Sequence, residues 1–361
     1  KFFAPSFRAR SHKIKTAVYG RLFVILCGFR LPYVFVRLCE SAVSCEKSSP
    51  NYACSRLCEH TSARDRKEKR TKMLKTADLT GKFDKKAPCA LLLGGFDGVH
   101  IGHRVLVERA KRTLLPVGIM TIGGGKGSRD LFTFPEREEI FSSLGIDFAF
   151  ELPFAEIKDM PPARFAELLT TEFSPEFFFC GSDFRFGQGA AGTPAFLKER
   201  TGVRVDVSGL LRLNGEKVSA TAVKRLLEEG DAAGAARFLG EPFFLRGEVV
   251  EDRHVGRTMG FPTANILYPE GKFPLKRAVY ETRVCVDGKE YKCISNFGAR
   301  PTFDNDRVLT ETYLDGFEGD LYGKELTVRF VRFLRDIEKF DGAAALKRQL
   351  ETDIERVRRG T

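Results

Sequence analysis

The chain has 361 residues, 43% of them hydrophobic, and a formal net charge of +11 at pH 7. That length implies two or three domains with ordinary apolar cores, and the positive charge first suggests a nucleic-acid partner. The distribution of charge argues against one: residues 1–72 hold 16 Lys/Arg and 5 Asp/Glu, the whole of the excess, while the rest balances at 43 basic and 43 acidic residues. A neutral body leaves room for a local basic patch but not for a broad nucleic-acid-reading face.

The first 72 residues stand apart in other ways. Their longest apolar run, Leu22 to Phe29, is too short to span a bilayer and is bracketed by Arg21 and Arg30. A basic flank with a short apolar stretch resembles a secretory signal, and an Arg-rich, acid-poor start resembles an organelle presequence. Met73 then opens a polar stretch, MLKTADLTGKF, and the preferred expectation is a working start at Met73, with residues 1–72 a disordered or spurious extension. Cys27, Cys39, Cys45, Cys54 and Cys58 belong to that extension, whereas Cys89, Cys180, Cys285 and Cys293 sit singly in apolar runs with no zinc spacing. Isolated buried thiols are the expected reading of those four, and the body is expected to be cytoplasmic, with no membrane segment.

From Cys89 onward strand and helix patterns alternate. Strands are expected at Cys89–Gly94, Val117–Ile122, Phe148–Leu152, Glu176–Cys180 and Val203–Val207, and helices at Ile101–Leu114, Pro135–Leu144, Ala163–Thr171 and Thr193–Arg200. Thr133-Phe134-Pro135-Glu136 reads as a capping box with proline at the helix start. Such alternation implies a parallel sheet covered on both faces. Beyond Gly240–Pro242 the period becomes two, at Phe244–Val250, Tyr280–Val286, Tyr291–Ser295, Val308–Leu314 and Leu326–Phe333, with Asp287-Gly288 as a hairpin turn. A helix over Gly342–Arg358 closes the chain. The expected architecture is a Rossmann-like α/β domain over residues 73–240, then a small antiparallel β-barrel with a C-terminal helix over residues 241–361.

Two of the five histidines lie together in LLLGGFDGVHIGHR, residues 91–104. A strand ending in Gly94-Gly95 and running through Phe96 and Asp97 into a helix start lets backbone N–H groups approach an anion. His100 and His103, one turn apart, suit fixed donors to the α-phosphate of ATP during adenylyl transfer. An ordinary glycine turn with one capping and one core histidine is the bland alternative. Val218-Ser219-Ala220-Thr221-Ala222-Val223-Lys224 opens a second helix whose hydroxyls and cation would suit β- and γ-phosphates, although serine is also a common N-cap. Gly181-Ser182-Asp183-Phe184-Arg185-Phe186-Gly187 follows a buried strand, at the sheet edge where ligands bind.

These pieces precede GRTMGFPTAN at residues 256–265, NFGARPTF at 296–303, EGDLYG at 318–323 and FLRDIEKF at 333–340. In that order they closely resemble the prokaryotic bifunctional riboflavin kinase/FMN adenylyltransferase (FAD synthetase) family, over about residues 85–358. The resemblance implies a first domain that transfers AMP from ATP to FMN and a second, six-stranded barrel that phosphorylates riboflavin. It implies catalytic roles for His100, His103 and Glu311. Gly94, Gly95, Phe96, Asp97, Ser219, Thr221 and Lys224 would border the first ATP, and Asp183, Phe184 and Phe186 the FMN. In the barrel, Gly256, Arg257, Thr263 and Asn265 would hold ATP, Thr263 and Asn265 would also hold Mg2+, and Asn296 and Arg335 would border riboflavin. The implied partners are ATP, riboflavin and FMN, with no nucleic acid and no membrane; the sequence does not fix an oligomeric state.

Read as residues alone, Thr263 and Asn265 lie in a loop after Gly-Phe-Pro, where a Pro-initiated turn with a self-bonded Asn explains an isolated motif better. Glu311 alternates with Leu309 and Tyr313, the pattern of a carboxylate aimed into a barrel or of a solvated strand glutamate. The chain departs from the family pattern at several points: Lys224 and Val223 replace the usual Arg and Ile, Ile122–Lys126 replaces Phe-Asp-Pro-His-Pro, and Asp252 and Ala278 stand where glycines are usual. The last two leave open a monofunctional adenylyltransferase with an impaired kinase, or a non-catalytic flavin-binding module. A tRNA-synthetase-like protein shares the His-x-x-His logic but lacks support in a neutral body.

Overall fold

A computed structural model of the chain describes residues 75–76, 87–123, 129–251, 260–299 and 308–360. Residues 1–72 and Met73, and with them the expected extension and start, lie outside the described residues. So do Asp252, Gly256 and Arg257.

The first half is built on strands β1 (Lys75–Thr76), β2 (Pro88–Leu93), β3 (Val117–Gly123), β4 (Phe148–Pro153), β5 (Ser174–Gly181) and β6 (Arg204–Ser208). They form one sheet in the order β1-β4-β3-β2-β5-β6, with every pairing parallel. After the edge strand β1, the chain passes to β2, winds outward through β3 to β4 beside β1, and returns to β5 and β6. The order therefore reverses between β2 and β5, and a crevice opens there at the carboxyl ends of the strands. Helices α1 (Ile101–Lys111), α2 (Phe134–Ser143), α3 (Phe154–Ile157), α4 (Pro162–Glu172) and α5 (Pro194–Thr201) cover the sheet. Alternation sends Ala90, Leu92 and Phe179 into one apolar cluster and Leu91, Leu93, Phe178 and Cys180 into another, as burial on both faces requires. The capping box forms: Thr133 accepts from the Glu136 N–H and the Glu136 carboxylate accepts from the Thr133 N–H.

A two-rung hairpin, β7 (Arg212–Leu213) and β8 (Glu216–Lys217), leads into helices α6 (Ala220–Glu229) and α7 (Ala232–Leu239). Each helix ends on a left-handed glycine, Gly230 and Gly240, both at φ 85°.

The second half is a closed barrel of β9 (Phe243–Val250), β10 (Thr263–Leu267), β11 (Ala278–Val286), β12 (Lys289–Ala299), β13 (Val308–Leu314) and β14 (Glu325–Arg335). Asp287 at φ 50° and Gly288 at φ 82° turn the β11–β12 hairpin, the left-handed pair a two-residue turn needs. The segment expected as a loop after Pro262 is instead β10, paired with β13 from Thr263–Tyr313 to Leu267–Leu309. Pro262 lacks an N–H to donate and so sits just before the strand.

Inside the barrel a buried hydroxyl chain links Thr282 to Ser295 (2.7 Å) and Ser295 to Thr312 (2.8 Å). Helix α8 (Ala343–Arg359) lies on the outside, where Ile354 and Val357 pack with Val279, Ile294 and Leu334. The two halves share one apolar cluster: Phe132 meets Phe243 at 5.2 Å and Phe244 at 4.7 Å. Among the described residues no helix is long and apolar enough to cross a membrane.

Candidate active sites

The crevice between β2 and β5 holds a cavity of about 280 Å3, walled by Gly94, Gly95, His100, His103, Asp183 and Ser219 among others. The turn between Gly95 and His100 is strained: Phe96 and Val99 take φ of 45° and 43°, unusual for residues other than glycine. Such conformations cost on the order of 1–3 kcal/mol each and persist where the surroundings enforce them. Here the Thr121 hydroxyl donates to the Gly95 carbonyl at 2.6 Å, and Arg137 donates to Thr121 at 3.1 Å.

His100 is the N-cap of α1, and its Nδ1 accepts from the His103 N–H at 3.3 Å. An imidazole that accepts at Nδ1 carries its proton on Nε2. Desolvation by burial pushes His100 down to about 4, and holds His103 well below the usual imidazole range with the neighbouring His100 adding to the effect. Both rings are therefore neutral at pH 7. The His103 Nδ1 is buried and has no hydrogen-bond partner.

Ser219 caps α6 by accepting from the Ala222 N–H at 3.2 Å, and lies on the cavity wall. Phe96, Asp97, Thr221 and Lys224 are not on that wall. The Phe96 ring tilts under His103 at 4.6 Å, and Thr221 is exposed. Asp97 and Lys224 pair with each other at 3.0 Å. Across the cavity, Phe184 lines the wall and stacks on Phe186 at 5.5 Å, while Phe186 lies beneath it against Phe165 at 5.0 Å.

A second cavity, of about 1050 Å3, opens between the barrel's outer surface and α8. It gathers Thr263, Asn265, Asn296, Glu311 and Arg335. Glu311 pairs in register with Asn265 on β10 and with Asn296 on β12, so these three side chains form one row across adjacent strands. The Asn265 and Asn296 Oδ1 atoms are buried without a hydrogen-bond partner. Thr263 lies two residues from Asn265, on the same face. Of the two readings of Glu311, aimed into the barrel or on the strand's outer face, the geometry favours the outer face. Its neighbours Thr310 and Thr312 are fully buried on the inner side, so Glu311 faces outward under α8 with Val279 and Ile294. Arg335 is held by the buried Asp353 of α8, with Nε to Oδ2 at 2.9 Å.

Comparison with known proteins finds a family model for each half of the chain. Residues 82–222 match the family model for FAD synthetase, and residues 239–361 the model for riboflavin kinase. The bifunctional riboflavin kinase/FMN adenylyltransferase of Haemophilus influenzae is 30% identical over 289 residues, covering 74% of this chain and 92% of that protein. Its namesake in Escherichia coli K12 is 31% identical over 285 residues, covering 73% and 90%. The chain belongs to the bifunctional riboflavin kinase/FMN adenylyltransferase family. A crystal structure titled as a macrolide-efflux protein from Streptococcus pneumoniae superposes with a TM-score of 0.72 at 25% identity, covering 79% of this chain and 99% of that one.

Several wall residues of this family member escape a reading of its sequence. Lys217 lines the first cavity and pairs with Asp183 at 2.6 Å, on a strand two residues long with no periodicity to mark it. Leu210 and Leu211 line the same cavity while remaining 47% and 36% exposed, an apolar rim in an otherwise polar mouth. In the second cavity Glu251, Glu318, Asp320 and Glu338 join Glu311, so the described residues give its wall five carboxylates against one guanidinium.

Proposed function

We infer that the protein makes FMN from riboflavin and ATP, and then FAD from FMN and a second ATP with release of pyrophosphate. Membership of the bifunctional family supports both activities, with ATP and flavins as the small-molecule substrates. The observation that carries the reading is that one chain holds two separate cavities, the first walled by Gly94, Gly95, His100, His103, Asp183, Phe184 and Ser219 and the second by Thr263, Asn265, Asn296, Glu311 and Arg335, each a part of the residue set expected for one of these reactions. The division of labour falls at about Gly240–Pro242.

In the adenylyl transfer, an FMN phosphate oxygen attacks the α-phosphorus of ATP, and the bond to the bridging oxygen of pyrophosphate breaks. The nucleophile is already ionised at pH 7, so no base is needed. His100, with its proton on Nε2, and His103 donate to the α-phosphate oxygens as charge builds there. Ser219 and the N-terminus of α6 offer further donors to the anion. Lys224 supplies positive charge to the outer phosphates, beside Asp97, while Gly94 and Gly95 let the nucleotide approach the backbone. Asp183 and Phe184 border the flavin, with Phe186 supporting Phe184 from below.

In the kinase, Glu311 takes the proton from the ribityl hydroxyl as its oxygen bonds to the γ-phosphorus and ADP leaves. Asn296 and Arg335 orient the flavin. The oxygen atoms of Thr263 and the unpartnered Asn265 Oδ1 suit Mg2+, a hard cation that takes oxygen ligands, and a wall with five carboxylates calls for such a cation when ATP enters. When bound, Mg2+ neutralises developing phosphate charge. A cytoplasmic location fits the free Cys89 and Cys180 thiols, which burial pushes up to about 11 and leaves unreactive.

The decisive experiment incubates the protein with riboflavin, ATP and Mg2+ and separates the flavins by chromatography. FMN followed by FAD is expected. FAD formed only from supplied FMN would remove the kinase assignment, and flavin binding without product would remove both.

A further inference from the structure

The Lys272 ammonium is fully buried, yet it belongs to the barrel's β10–β11 connection. It pairs with Glu136 of α2 at 2.6 Å, donates to the Leu131 carbonyl at 3.1 Å, and lies over the rings of Phe132 and Phe243 at 4.5 and 4.6 Å. A lysine is an expensive residue to bury, and an apolar side chain would pack between these phenylalanines at lower cost. What lysine adds is direction: it fixes the barrel segment to one carbonyl and one carboxylate of the first half.

The strand-like segment Arg129–Leu131 receives that grip from one side and passes it to the other. Facing the barrel, the Asp130 N–H donates to the Gly271 carbonyl (2.9 Å), the Asp130 carbonyl accepts from the Phe273 N–H (2.6 Å), and the Leu131 carbonyl accepts from Lys272. Facing the adenylyltransferase site, the Leu131 N–H donates to Asp97 (2.5 Å) and the Arg129 carbonyl accepts from Lys224 (2.7 Å). The Phe273 ring also meets the Lys224 ammonium directly, at 5.4 Å from its centroid. Asp97 and Phe273 thus hold the same ammonium, one from each half of the chain.

We propose that Gly271–Phe273 of the riboflavin kinase half is a working part of the FMN adenylyltransferase site, positioning Lys224 for the nucleotide phosphates through the Phe273 ring and through the backbone of Arg129–Leu131. The proposal rests on the reading that Lys224 contacts those phosphates. Lys272 and Phe273 are positioning residues: they act through Lys224 and touch no reacting atom. The kinase half then contributes to ATP affinity in a reaction it does not catalyse.

The test uses the full chain and follows two reactions: FMN adenylylation, for kcat and KM of ATP, and riboflavin phosphorylation as internal control. Lys224→Met should raise the KM for ATP about tenfold or more, the loss of a hydrogen-bonded charge. Phe273→Leu should raise it about two- to fivefold, the range of an accessible cation–π contact, with kcat within about twofold. Phe273→Tyr, which keeps the ring, should restore it. Lys272→Met combined with Glu136→Gln, which avoids a stranded carboxylate, should raise it as well. Riboflavin phosphorylation should stay unchanged throughout. A raised KM in Lys224→Met beside wild-type values in the Phe273 and Lys272 variants would overturn the proposal and leave the role of Lys224 standing. An unchanged KM in Lys224→Met would remove that role, and the proposal with it. Parallel loss of both activities in Phe273→Leu would also overturn it, since the segment would then serve the fold alone.

Discussion

His100 and His103 lie face to face, with ring centroids 3.7 Å apart and planes 11° from parallel. Two imidazolium rings cannot share that spacing without repulsion, and burial already disfavours either charge. Asp183 and Asp97 pull the His100 proton on while Lys217 pushes it off, and burial outweighs them, leaving it at about 4. Because the folded-state value lies below the ordinary value of 6.5, the unfolded chain takes up protons first as pH falls. The stability supplied by a neutral His100 is full above about pH 6.5 and is lost progressively toward pH 4. Titration of the ring C–H resonances by NMR should show neither histidine charging between pH 7 and pH 5. A midpoint for either near 6.5 would show that the pair is not desolvated.

The stack also predicts which activity depends on it. His103→Ala should reduce FAD formation from FMN by about 10²–10³, the usual loss for a donor aimed at developing charge, and leave FMN formation from riboflavin intact. The two cavities share no lining residue, so assaying both reactions on one preparation separates a chemical effect from a folding effect. Equal loss of both activities in a folded protein would contradict the two-site assignment.

Lys272 and Glu136 yield a stability prediction. Removing one partner of a fully buried pair strands the other charge, a loss of about 3–5 kcal/mol. Lys272→Met should therefore lower the urea midpoint strongly, and adding Glu136→Gln should recover much of the loss. Because Phe132, Phe243 and Phe244 join the halves in one core, both should unfold in a single transition. Two separated transitions in the wild-type protein would show that the shared core does not couple them.

Most of the fold was legible because its signals are local. An apolar run ends at Gly94-Gly95, Thr133 and Glu136 box a helix start, and Asp287-Gly288 can serve as little other than a turn. β10 was hidden because Ala264, Asn265 and Ile266 are all buried, which erases the alternation that marks a strand. α7 was hidden in an Ala- and Gly-rich stretch with little apolar contrast. The facing of Glu311 could not be read from its alternation with Leu309 and Tyr313. A barrel strand under a covering helix is buried on both sides, and period two tells which residues share a face but not which face lies inside. The pairs Asp97–Lys224 and Glu136–Lys272 join residues more than a hundred positions apart, and nothing local marks them. The same holds for Lys217, whose place on the first cavity depends on how the β7–β8 hairpin folds back.

Glu311 offers the sharpest test of the second cavity. It stands between Asn265 and Asn296 in one row of three strands, and the two amide oxygens beside it are buried without partners. The ribityl hydroxyl is a poor nucleophile at pH 7, and a carboxylate in that row can take its proton as the bond to phosphorus forms. Such a base contributes about 10²–10⁴ in rate. Glu311→Gln keeps the size and one carbonyl oxygen but cannot accept the proton, so riboflavin and ATP should still bind while FMN production falls by that factor. Adenylylation of supplied FMN, which uses the other cavity, should not change. The measurement is the initial rate of FMN formation at saturating riboflavin and Mg-ATP, with FMN-to-FAD conversion as control. A Glu311→Gln rate within about threefold of wild type lies far outside the range for a lost base, and would leave Glu311 as a wall residue only.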